Sequence, residues 1–174
     1  MKKITLAILL ILAMATTSIF AVTDSFSVTT TVAELGLIKV TKTAIGSSTL
    51  AAYNALVDYD ELTVTAAGSQ TFTAYMTTLS NKRTGYNVKL SATAMTSTVG
   101  AATSYINYTV TTNGVSVTTN GAAVITPATV ITVASLTAIS GDSKLITLSV
   151  DPTTFNAAVS GTYVGNVTFT FTAT

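Results

Sequence analysis

From Phe26 to Val32 the chain alternates strictly: Phe26, Val28, Thr30 and Val32 fall on one face, Ser27, Thr29 and Thr31 on the other. A period of two over such a length predicts a strand with one buried face. The same rhythm returns along the sequence. Gly36 interrupts it, and Leu37 to Thr41 continues extended. Leu62 to Thr65, Thr71 to Thr78 and Tyr86 to Ala92 follow, the last directing Val88, Leu90 and Ala92 inward. Tyr105 to Thr111, Val115 to Thr119, Ala122 to Thr126, Val130 to Ala134, Lys144 to Val150 and Tyr163 to Thr172 complete the set.

Turn residues separate these runs. Asn113-Gly114 and Asn120-Gly121 are hairpin signals, because both centres of a type I′ turn need positive φ. Asn81 to Gly85 reads as a polar turn, and Asp151-Pro152 with Phe155 as a turn or one turn of helix. The one longer helical pattern is Ser48 to Val57, with Leu50, Tyr53, Asn54 and Val57 on one side and Thr49 as cap. These short strands, without a long helix, predict an all-β fold, an immunoglobulin-like antiparallel β-sandwich.

Composition narrows what such a domain does. Only 9% of the 174 residues are charged, 48% are hydrophobic, and Cys, His and Trp are absent. Disulfides, thiolate or histidine catalysis and Cys/His zinc sites are therefore impossible. Threonine supplies 38 residues; its branched stem favours strands while its hydroxyl keeps outer faces wet.

The N-terminus follows a different logic. Lys2 and Lys3 precede an apolar and small-residue run from Ile4 to Ala15, and Ser18-Ile19-Phe20-Ala21 follows. This is the layout of a secretory signal peptide, residues 1–21, with cleavage expected after Ala21. The apolar run is shorter than the roughly 20 residues needed to span a bilayer, so no membrane insertion is expected after cleavage. Removal leaves six basic against seven acidic groups. That balance offers no grip on nucleic acid. Residues 22–174 then form a single exported domain, with 22–34 a candidate donor strand.

Candidate chemistry is sparse. Asp58, Asp60 and Glu61 form the one carboxylate cluster, a candidate calcium site that lacks the full Ca²⁺-loop pattern. No catalytic set, cofactor site or other metal site is expected, and the chain is not read as an enzyme. The C-terminus is more telling. Tyr163 stands where a tyrosine corner would sit, and Val167, Phe169 and Phe171 alternate behind it, ending the chain with no later partner strand. An alternating segment at one end and an edge strand at the other can pair within one chain or between chains.

Three stretches carry a resemblance: Thr23 to Val32, Gly85 to Ala92, and Gly161-x-Tyr163-x-Gly165-x-Val167. In their order, and in the lack of cysteine, they resemble the major pilin subunits of the CFA/I-type (alpha) chaperone–usher fimbriae. The resemblance implies a homopolymeric fimbria or pilus at the cell surface, supporting adhesion and assembled with a periplasmic chaperone and outer-membrane usher. Phe26, Val28, Thr30 and Val32 would be the donor-strand face, and Tyr163, Val167, Phe169 and Phe171 the C-terminal edge strand. The last motif also occurs in self-complemented exported sandwiches, such as spore-coat-like domains. These would bind carbohydrate or protein through their loops, and that reading stands as the alternative.

Overall fold

The structure, a computed structural model, describes residues 26–174; the expected signal peptide lies outside them. Its elements run β1 (Gly36–Thr41), α1 (Leu50–Asn54), β2 (Gly68–Ser69), β3 (Ala74–Ser80), β4 (Tyr86–Ala92), β5 (Met95–Val99), β6 (Ala102–Ile106), β7 (Tyr108–Thr112), β8 (Val115–Thr118), β9 (Ala128–Val133), β10 (Ser140–Val150), α2 (Pro152–Asn156) and β11 (Val167–Ala173). The fold is all-β. One antiparallel sheet has the order β1-β3-β10-β7-β8, with β2 joining β10 at Ser149 and Val150. A second has the order β11-β4-β9, and β5 and β6 form a separate hairpin.

Alternation explains why the two sheets face each other. Met76 and Val110 on one sheet and Val88 and Leu90 on the other are completely buried and share one core cluster. The intervening Lys89 is exposed. Each such aliphatic side chain contributes about 1.5–3 kcal/mol by leaving water. The expectation that Val88, Leu90 and Ala92 point inward is met.

Local chemistry sets the element ends. Asn113 and Gly114 take φ of 50° and 75°, so β7 and β8 close in the expected two-residue hairpin, with Thr112 opposite Val115. The Asn113 amide then donates to the Val130 carbonyl at 2.7 Å, tying this turn to β9. The Thr49 hydroxyl caps α1 by accepting from Ala52 N. Asp151 caps α2 in the same way, accepting from Thr153 N and Thr154 N, with Pro152 in the first turn.

Several expectations are corrected. Phe26–Val32 forms no strand: the segment lies outside every helix and strand, with Phe26, Val28 and Val32 exposed by 86, 84 and 76%. Among the described residues no strand pairs with the segment, and alternation alone does not supply a partner. The helix stops at Asn54 because Asp58 bridges back to Thr41 and draws the chain toward β1. Leu62–Thr65 is not a strand, nor is Ala122–Thr126, because Asn120 does not adopt positive φ and no hairpin forms there. β11 starts at Val167 rather than Tyr163. The expected strand Tyr105–Thr111 is broken at Asn107 into the end of β6 and most of β7, and β5 with the start of β6 went unpredicted because they bury little.

Candidate functional site: an open strand edge beside an apolar cavity

The Gly161–Val167 motif brings the chain to the edge of the second sheet. Tyr163 Oη donates to the Val159 carbonyl at 3.0 Å, fixing the corner that leads into β11. Gly165 passes so close to the β4–β5 link that a Cβ would lie 2.8 Å from the Thr93 carbonyl oxygen. At Gly161 a Cβ would meet Ser97 Oγ at 2.6 Å. Both glycines are there for closeness. They let Val164 exchange backbone hydrogen bonds with Thr96, so the approach to β11 is already aligned against β5.

Hydrogen-bond parity then identifies the open groups. In an antiparallel pair, successive residues turn their N–H and C=O to alternate sides. Asn166 faces the β4 side, its carbonyl accepting from Thr93 N at 2.9 Å and its N–H donating to Thr93 Oγ1 at 3.0 Å. Thr174 faces the same way, donating to the Gly85 carbonyl. Val167, Phe169 and Phe171 consequently direct their backbone groups outward. Among the described residues these groups have no backbone partner, since β11 pairs with β4 alone.

The edge of β1 lies opposite. Val40 O accepts from Tyr59 N and Lys42 N donates to Val57 O, both at 2.9 Å, so even-numbered residues of β1 face away from β3. The two edges converge at one end, where a Cβ on Gly36 would sit 2.7 Å from the Phe171 ring. That ring stacks on Tyr86 with centroids 4.7 Å apart. Toward the other end the edges part around a cavity of about 430 Å³. Val40, Leu62, Val64, Phe72, Val167 and Phe169 are among its walls, with Val110 and Ile146 behind them. Most of its lining side chains are apolar, and Asp60, Glu61 and Asn166 also line it.

Two tyrosines and a lysine near this site are engaged in structure. Tyr108 Oη donates to the Asn166 carbonyl at 3.1 Å, and burial pushes its phenol up to about 12. Tyr53, on α1, is also raised to about 12, mainly by burial and secondarily by the Asp58 charge. Lys39 Nζ sits 5.0 Å from the Tyr53 ring centroid, bonds the Leu56 carbonyl at 2.9 Å and pairs with Asp58 at 3.2 Å. Asp58 is thus turned to a cation. Asp58, Asp60 and Glu61 do not gather into a metal-ligand cluster, and no group of three such ligands occurs among the described residues.

The structure therefore brings Val167 and Phe169 together at one cavity, places Tyr163 at its lip, and sets Phe171 at the closed end of the seam. Phe26, Val28, Thr30 and Val32 stand in an exposed segment without secondary structure. Sequence reading missed Leu62, Val64 and Phe72 as cavity walls. Their alternation was visible, but the absence of a ladder partner was not. No family model, curated protein or solved structure matches the chain.

Proposed function

We propose that this protein is a structural subunit of an extracellular fibre, polymerising when Phe26–Val32 of one copy adds as a strand to β11 of the next. One observation carries the reading. Among the described residues, an alternating segment forms no strand, and the β11 edge has no partner beside a cavity with mostly apolar side chains. Strand addition supplies both needs at once: main-chain hydrogen bonds give affinity and alternate side chains fill pockets. Val167 and Phe169, at the open end of the seam, offer the hydrogen bonds, and Val28 with its neighbours on the same face offers the side chains.

Strand order supports the same reading. The run β1-β3-β10-β7 follows the A-B-E-D order of an immunoglobulin-type sandwich, and β11-β4 follows F-C. Tyr163, at the corner between the E-like and F-like strands, bonds the backbone four residues upstream, as a tyrosine corner does. Beyond F, where strand G would pair, the described residues provide none. A self-complete sandwich would fill that place from within.

On this reading the chain is exported and displayed at the cell surface. Copies of itself are its main partner, and a chaperone and usher guard the open edge until assembly, as the resemblance to CFA/I-type pilins implies. Its work is packing rather than catalysis. The test is Val28→Asp. Val28 is 84% exposed within its own chain, so the variant monomer keeps its unfolding midpoint while polymers disappear from sedimentation and electron microscopy. Polymers that persist with Val28→Asp would sink the proposal.

A further inference from the structure

The cavity beside β11 is bordered by a segment with unusual attachments. Between α1 and β3 the chain from Ala55 to Thr73 contains only an isolated bridge at Asp58 and the two-residue β2. A connection longer than about 12–15 residues with so little structure is uncommon and is typically a functional lid or binding loop. It is pinned at both ends. Tyr59 N donates to Val40 O at one end; at the other, Gln70 N donates to Leu148 O at 2.8 Å and Gln70 Nε2 to Ala66 O at 2.9 Å. Between these pins, Asp60 to Thr65 makes no hydrogen bond with any described residue.

What holds this stretch is side-chain burial. Leu62 and Val64 are half-buried in the cavity wall, while Thr63 and Thr65 face solvent. That is the alternation of the Phe26–Val32 segment, placed beside the same strand edge but without a ladder. A segment with few buried contacts and no backbone bonds opens at low cost, whereas a strand that pairs with β11 gains a row of them. The seam is closed at Gly36 and Phe171, so an added strand must use the end that this stretch borders.

We propose that Asp60–Thr65 is a displaceable strap: Leu62 and Val64 shield the cavity in the unassembled subunit, and an incoming strand expels them. Strap opening then governs the rate of strand capture. The inference rests on the strand-addition reading and adds a regulatory step to the same site.

The experiment uses the mature chain and a synthetic Phe26–Val32 peptide in excess. The protein has no tryptophan or cysteine, so Leu62→Trp supplies a sole emitter on the strap. Thr63→Cys, carrying a spin label on the solvent side, reports the same motion should the bulky residue disturb folding. Peptide capture should shift Trp emission to the red, or mobilise the label, at the rate of binding. Val64→Ser should capture peptide about tenfold faster, because less apolar burial resists opening. If peptide binds while both reporters stay unchanged and Val64→Ser binds at the parent rate, the strap is refuted and strand addition survives. If a folded chain captures no peptide at any concentration, both fail together.

Discussion

Hydroxyl groups do much of the residue-scale work in this chain. Thr41 and Thr77 bond each other at 2.8 Å in the buried part of the sheet, and Thr77 reaches Ser143 at the same distance. On the solvent side Thr109 pairs with Thr118 and Thr111 with Ser116 across the β7–β8 hairpin. Cross-strand hydroxyl pairs of this kind contribute roughly 0.2–1 kcal/mol each. Tyr108 is the residue whose chemistry is most testable. Its folded pKa lies near 12, above the ordinary tyrosine value, so folding favours the neutral phenol. That stability is complete below about pH 10 and is lost as pH rises from about 10 toward 12. Tyr108→Phe removes this ionisation and one hydrogen bond. Denaturant midpoints followed against pH should show a loss of about 0.5–1.5 kcal/mol at neutral pH and a shallower alkaline decline than the parent. An equal alkaline decline in the variant would assign that transition elsewhere.

At the scale of elements, patterning was readable wherever it coincided with burial. Tyr86–Ala92 appeared in full, with the inward residues named, because β4 lies between β11 and β9 and alternates cleanly. The β7–β8 turn was legible because Asn-Gly is one of the few pairs that suit its two positive φ values. Where partners decide, sequence fell silent. Leu62–Thr65 and Phe26–Val32 carry the same period as β4, yet neither has a ladder, since a strand exists only with a neighbour. β5 and β6 show the converse: mostly Thr and Ser, they pair by backbone and a Thr98–Thr103 hydroxyl contact and leave little apolar trace. The two glycines at 161 and 165 were noticed as a motif, but their reason is contact with Ser97 and Thr93, far away in sequence. Gly165→Ala should therefore cost about 1–3 kcal/mol by forcing β11's approach away from the Thr93 carbonyl. Chemical denaturation of the monomer checks it; an unchanged midpoint would mean this approach is soft.

For the whole molecule, the exposed segment and the open β11 edge are two features that the described residues leave without a strand partner. Ala33, Glu34 and Leu35 already belong to the folded body: Asn81 donates to the Ala33 carbonyl at 2.9 Å and accepts from Leu35 N, and Lys82 pairs with Glu34. Of the 22–34 span, Ala33 and Glu34 are therefore tied to the β3–β4 turn, while Phe26–Val32 is not part of any element. An unguarded edge in so weakly charged a chain is an aggregation hazard for a free monomer, and the strand-addition account turns it into the assembly surface. The most direct measurement is thermal unfolding of mature protein lacking residues 22–32, with and without a Phe26–Val32 peptide. The account predicts a truncated chain that keeps the parent monomer's unfolding midpoint, forms no polymer, and is stabilised by peptide in a concentration-dependent manner, by about 2.7 kcal/mol at a hundredfold excess over Kd. A truncated chain that stays a stable monomer and ignores the peptide would contradict it.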